Sequence, residues 1–128
     1  MAASFSGIAP RFMWTLVCAC AYASLVGAQE AGQKGSREAE VCLACHTVDK
    51  TNGLGPSLAG VVGRTAGSVP SFRYSRAMRN SKVVWDEKTL DAYLADPQKV
   101  VPGNAMPFAG MTDGKKRSEV IEFLKTLK

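Results

Sequence analysis

Cys42 and Cys45 stand two residues apart, and His46 follows the second without a gap. Two thiols and an imidazole in this order, C-x-x-C-H, are the pattern of covalent haem attachment. The two intervening residues place both sulfurs along one edge of a porphyrin, within reach of its two vinyl groups. The imidazole then falls beneath the metal. His46 is the only histidine in the chain, so no other imidazole competes for the iron. Neutral imidazole is the ligating form, and its second nitrogen needs an acceptor that fixes tautomer and ring orientation.

Two other chemistries share part of the pattern. C-x-x-C also serves thiol–disulfide exchange, but in a βαβ setting that this chain does not show. A structural zinc site takes four Cys or His ligands. Cys42, Cys45 and His46 supply three, and the remaining cysteines, Cys18 and Cys20, lie in a segment expected to be removed. The reading adopted is one haem c, joined through Cys42 and Cys45.

An iron held by histidine on one side needs a second ligand or an open site. A methionine thioether is the common partner in electron-transfer haem proteins and raises the potential. Beyond residue 28 the candidates are Met78, Met106 and Met111. Met78 sits among Arg76, Arg79 and Asn80, in loose surroundings. Met111 follows Gly110 and suits plain core filling. Met106 lies in Pro102-Gly103-Asn104-Ala105-Met106-Pro107-Phe108, a loop stiffened by two prolines. Such a loop holds a thioether without an ordering cost at each redox change. The residues themselves favour Met106 and leave the other two open.

These groups need elements to carry them. Arg11 is the only charge before Glu30, and Phe12 to Ala28 is an uncharged, mostly apolar run of 17 residues ending Val26-Gly27-Ala28. This is the pattern of a secretory signal cleaved after Ala28. The competing reading is an uncleaved anchor, since spanning helices need roughly 17–25 residues. Residues 1–28 are therefore expected as a signal peptide and 29–128 as one domain of 100 residues. A core of that size is modest, and a buried macrocycle supplies much of the missing apolar contact. With 15 Lys and Arg against 11 Asp and Glu, the mature part carries a net charge of +4. That balance suits an acidic protein partner. Interspersed charges and the lack of an aromatic-basic stretch argue against nucleic acid.

Helices are expected at Ser36 to Cys45, with Ser36 as cap, at Glu87 to Ala95, and at Gly114 to Leu127. Asp86 caps the second, whose apolar face is Leu90, Tyr93 and Leu94, and Pro97 stops it. Val120, Phe123, Leu124 and Leu127 form the stripe of the third. Residues 47–84 hold Gly53, Gly55, Pro56, Gly60, Gly63, Gly67 and Pro70, a density that predicts loops. A helical turn or two is expected within Ser71 to Asn80, and loop again at 97–111. The fold class is all-α: three main helices and long loops wrapped around one covalently bound haem.

Over residues 35–128 the motifs and their order resemble the class I cytochromes c, the small soluble proteins of mitochondria and the bacterial periplasm. Gly55-Pro56-Ser57-Leu58 is similar to the segment whose proline carbonyl accepts from the haem-binding histidine. Gly63-Arg64-Thr65 is similar to the arginine loop near a propionate. Tyr74 and Trp85 resemble the aromatic donors to propionates. Tyr93-Leu94, Pro97 and the Pro-Gly-x-x-Met-x-Phe loop match as well. The resemblance implies the cytochrome c fold, Met106 as distal ligand beside His46, and Phe108 over the haem edge. It also implies cofactor contacts from Pro56, Arg64, Tyr74, Trp85 and Tyr93.

Three departures accompany it. Glu38 stands where the family has an aromatic residue four before the first cysteine, leaving Ala39 and Val41 to pack there. Asn104 replaces a hydroxyl residue near the ligand methionine. Gln98, Ala105, Thr112 and Asp113 occupy places of docking lysines; Lys99 remains, and Arg73, Arg76, Arg79, Lys82, Lys115, Lys116 and Arg117 put positive charge elsewhere.

The function implied is a one-electron carrier rather than an enzyme: a soluble monomer in the bacterial periplasm. Its expected partners are redox proteins: a cytochrome bc-type complex, a terminal oxidase or a periplasmic dehydrogenase. Membrane association is expected only if the N-terminal segment is retained. The altered docking face motivates a second reading, a dedicated electron-acceptor subunit of a periplasmic dehydrogenase complex. A third, a haem sensor or peroxidase-like protein, requires a labile sixth ligand.

Overall fold

The computed structural model describes Gly35 and residues 37–128. The expected signal segment and the Ser36 cap lie outside the described residues. Among the described residues the helices with full bounds are, in order, α1 Glu40–Leu43, α2 Arg76–Asn80, α3 Glu87–Ala95, α4 Pro97–Val100 and α5 Gly114–Thr126. Among the described residues the β contribution is one isolated antiparallel bridge, Thr65 to Val84.

Each longer helix is started by a side chain. The Asp86 carboxylate accepts from Thr89 N at 2.7 Å, while Thr89 Oγ1 accepts from Asp86 N at 2.9 Å. This reciprocal box satisfies donors that the first turn otherwise leaves orphaned. The Thr89 N–H, and after it the Thr89 hydroxyl, donate to the Asp86 carboxyl and hold it below its ordinary value. At α5, Asp113 Oδ1 accepts from Lys115 N at 2.9 Å and Lys116 N at 3.2 Å. Leu90, Tyr93 and Leu94 are buried on α3, and Val120, Ile121 and Leu124 on α5. Phe123 and Leu127 pack at the margin of that core. The buried stripe of α5 is thus shifted by one position, to include Ile121.

Pro97 does more than stop α3. Asp96 accepts from Lys99 N at 3.1 Å, and Pro97 opens α4 as its first residue. Proline suits this position because its missing N–H is one that a helix start leaves unpaired anyway. The stretch 97–111 therefore begins as helix rather than loop. A turn at Ala39 interrupts the expected first helix, with Gly35, Arg37 and Glu38 helical before it and α1 after it. Helical hydrogen bonds nevertheless run from Ala39 N to Gly35 O through His46 N to Cys42 O.

The start of the described chain is held against α5. A Cβ on Gly35 would collide with the Glu119 carbonyl oxygen and lie 3.0 Å from Phe123 Cβ. Ala39 is fully buried in the same cluster as Val120 and Leu124. Val41, the other residue expected there, is 56% exposed. Glu38 pairs instead with Lys116 at 3.3 Å. A backbone approach, one alanine and an ion pair thus stand where an aromatic was expected.

The long loop is pinned rather than free. Gly63 N donates to Trp85 O, Trp85 N to Arg64 O, and Ala66 N to Val83 O, at 2.9, 2.9 and 2.8 Å. Met78 is buried on α2, correcting the expectation of loose surroundings. Substitution of Gly35 by Ala forces main chain apart at the α5 contact. The haem-loaded Gly35→Ala protein is expected to lose ~1–3 kcal/mol of unfolding free energy, the range of overpacked sites. Glu38→Gln should cost less than about 1 kcal/mol, as at half-exposed pairs. Denaturant unfolding of both variants checks the ranking.

Candidate haem site

A cavity of about 460 Å³ opens between α1, the long loop, α3 and the 105–108 segment. Leu58, Val61, Trp85, Leu90, Leu94 and Leu124 make much of its wall, and no Asp or Glu lines it. All the expected site residues face it: Cys42, Cys45, His46, Pro56, Arg64, Tyr74, Trp85, Tyr93, Met106 and Phe108.

The end of α1 presents the first three. His46 N donates to Cys42 O at 2.9 Å and Cys45 N to the same oxygen at 3.1 Å, so one tight turn sets both thiols and the imidazole. Cys42 and Cys45 are half-buried and not joined to each other. Burial pushes the Cys42 thiol up from its ordinary value. His46 Nδ1 lies 2.6 Å from the Pro56 carbonyl oxygen. A carbonyl only accepts, so Nδ1 carries the proton and Nε2 keeps its lone pair. Gly55 forms the wall behind the ring. A Cβ there would stand 2.5 to 2.9 Å from three imidazole atoms. The ring is thereby fixed in tautomer by Pro56 and in place by Gly55.

Met106 reaches the same cavity from the other loop. Its sulfur receives the Tyr93 hydroxyl at 3.5 Å, and its N–H donates to Asn104 Oδ1 at 3.0 Å. Tyr93 packs on Trp85 with ring centroids 4.8 Å apart at 57°. Burial pushes the Tyr93 phenol up to about 12, which keeps it protonated and able to donate. Met78 also lines the cavity, whereas Met111 lines an open depression with Arg37, Glu40 and Asp113.

The polar residues expected at propionates have roles of their own here. Arg64 donates from Nη1 to Ala59 O and from Nη2 to Ser57 O, each at 2.8 Å. Its guanidinium ties the 57–59 loop while bordering the cavity. Tyr74 meets Phe72 edge-on, with centroids 4.7 Å apart at 70°. Burial raises the Tyr74 phenol, chiefly, against a lowering contribution from the Val69 backbone. Phe72, Arg73 and Ser75 are cavity residues that sequence reasoning missed. Ser75 was the available signal: its hydroxyl accepts from Met78 N at 3.2 Å, capping α2 and turning Met78 inward.

The donor set fits a haem. Two thiols, one imidazole lone pair and the thioethers of Met78 and Met106 share a single chamber with largely apolar walls, and a His/Met pair is a known axial set for haem iron. Among the described residues no group of three or more His, Cys, Asp or Glu converges as a zinc site would need.

Known proteins agree with the geometry. Cytochrome c2 iso-2 of Magnetospirillum molischianum is 53% identical over 89 residues, covering 69% of this chain and 92% of that protein. The chain belongs to the class I cytochromes c. Cytochrome c2 of Rhodomicrobium vannielii is 48% identical over 95 residues, 73% of this chain and 76% of the relative. The structure of cytochrome cH from Methylobacterium extorquens superposes with a TM-score of 0.71 at 43% identity, covering 74% of this chain and 97% of the other. No protein-family model matches the chain. This cytochrome c accordingly has the all-α cytochrome c fold and carries haem c, joined covalently through Cys42 and Cys45. It is an electron carrier that exchanges electrons with redox proteins. No helix among the described residues is long and apolar enough to cross a membrane.

The Tyr93 value has a consequence for this cytochrome's stability. An exposed phenol titrates near pH ~10, below the folded value of about 12. The group's contribution is therefore complete below pH ~10 and is lost as the pH rises through about 12. Tyr93→Phe is expected to flatten that part of the stability curve. Denaturant unfolding across the alkaline range measures it.

Proposed function

We propose that the protein is a soluble one-electron carrier of the bacterial periplasm, with iron ligated by His46 and Met106. The observation that carries the ligand pair is one chamber holding an imidazole with Nδ1 on the Pro56 carbonyl and a thioether with the Tyr93 hydroxyl on its sulfur. When bound, the haem supplies a one-electron couple whose potential the surroundings tune. His46 is held by Gly55 and Pro56, so its Nε2 presents one fixed lone pair. Met106 is held from Asn104 and Tyr93, and its soft sulfur favours the reduced state. Apolar side chains exclude water around both. A site filled on both sides is suited to passing electrons rather than binding small molecules.

Redox proteins with an acidic face are the partners this reading takes, among them a cytochrome bc-type complex, a terminal oxidase or a periplasmic dehydrogenase. Residues 50–85 contain Lys50, Arg64, Arg73, Arg76, Arg79 and Lys82 and no Asp or Glu. Arg73 borders the haem cavity. By contrast Lys116, Arg117 and Lys125 are paired with Glu38, Asp91, and Glu87 and Glu122. The uncompensated cations therefore favour approach from the 50–85 side, and added salt should slow it. The departures that motivated a dedicated subunit weaken on inspection, because Asp113 caps α5 and Gln98 bonds to its own loop.

Residues 1–28 are proposed to be an export signal cleaved after Ala28. The exported protein should begin at Gln29, and an N-terminus at Met1 would instead support an anchor. For the ligands, Met106→Ala is expected to bind carbon monoxide in the ferrous state and to lower the potential, whereas Met111→Ala does neither. An unchanged ferric spectrum in Met106→Ala refutes the assignment.

A further inference from the structure

We propose that Gln98 and Asn104 are positioning residues that strap the Met106 loop onto α4 and hold Met106 in place through changes of oxidation state. The proposal rests on Met106 being an iron ligand. Between α4 and the ligand the chain has only Val101 to Ala105, with Gly103 in the left-handed region at φ +80°. Such a tight turn satisfies few of its own polar groups. Asn104 N donates to Val101 O at 3.1 Å. The remainder falls to two side-chain amides.

Gln98 reaches across from α4 with both ends of its amide. Its Nε2 donates to Asn104 O and its Oε1 accepts from Gly103 N, each at 3.0 Å. Asn104 then reaches back. Its Nδ2 donates to Pro97 O and to Val101 O, and its Oδ1 accepts from Met106 N, all at 3.0 Å. Asn104 is only 6% exposed, so these bonds replace water that cannot enter. Five hydrogen bonds from two side chains therefore link the first residue of α4 to the backbone of Met106.

The chemistry requires amides. Asn104 uses two donors and one acceptor; a hydroxyl has one donor, and a carboxylate has none. Gln98 must both donate and accept, which a lysine cannot do. Two departures from the family pattern thus become one device. Neither residue lines the haem cavity, so both act through Met106 rather than on the cofactor. Unpairing a buried amide or carbonyl is unfavourable. The loop therefore swings Met106 away only when several bonds break together.

The test is the rate at which imidazole binds the ferric, haem-loaded protein at saturating imidazole, where departure of Met106 limits binding. Gln98→Ala, on the exposed face of α4, and Asn104→Ser are each expected to bind about tenfold faster than the unchanged protein, the scale of one lost hydrogen bond. Gln98→Glu keeps the acceptor for Gly103 N and should fall between. Ile121→Val weakens the core elsewhere and should leave the rate unchanged, which separates positioning from general destabilisation. Met106→Ala must bind fastest. If Met106→Ala binds no faster than the unchanged protein, the ligand assignment fails. If it does bind faster while Gln98→Ala and Asn104→Ser stay within twofold of the unchanged protein, the strap is overturned and the ligand assignment stands. A rise in Ile121→Val equal to that in Gln98→Ala also overturns it.

Discussion

The interior of this protein is organised around a group that is not made of amino acids. Among the described residues the longest helix is Gly114–Thr126, and much of the rest is loop. Val61, Trp85, Leu90 and Leu94 turn their apolar surfaces toward a shared chamber rather than filling it. Without an occupant these apolar walls would stand against water and forgo roughly 25 cal/mol for each Å² left unburied. Two covalent bonds from Cys42 and Cys45 remove the risk by making the occupant permanent. The same occupant lets the loops pack as a core without becoming helices.

Around that chamber, position is set mainly by the main chain. The Pro56 carbonyl chooses the tautomer of His46, and the absent side chain of Gly55 leaves room for its ring. Carbonyls of Ser57 and Ala59 hold Arg64. Carbonyls and amides of residues 97–106 meet Gln98 and Asn104. Backbone groups are fixed in number and geometry, so they hold a site to tighter tolerance than long side chains at a surface. The approach of Gly35 to α5 follows the same rule at the other end of the domain.

What the sequence disclosed follows from range. Cys42, Cys45 and His46 are contiguous, and Asp86 with Thr89 is a local capping signal, so both were legible. The face of α3 was legible because three residues at helical spacing announce it. Met106 became distinct through the two prolines of its loop together with the family resemblance. Met78 was misjudged because its burial depends on Gly67, eleven residues away, whose Cβ would stand 2.6 Å from Met78 O. The α4 turn was hidden because proline reads equally as a stop and as a first residue. Glu38 was seen as a missing aromatic, while its partner Lys116 lies on the last helix and has no sequence signature. Gln98 was read as a lost lysine for the same reason: its use depends on atoms of a turn not yet built.

The lining of the chamber carries one more consequence. Arg64 remains cationic at any ordinary pH, even though burial lowers it somewhat. The Tyr74 and Tyr93 phenols are pushed upward, and among the described residues no carboxylate lines the cavity. His46 has one ring nitrogen on the Pro56 carbonyl. Near neutrality the two phenols therefore keep their protons and the Arg64 guanidinium its charge. Groups of a single charge state give the cofactor the same electrostatic surroundings whatever the ordinary acidity outside.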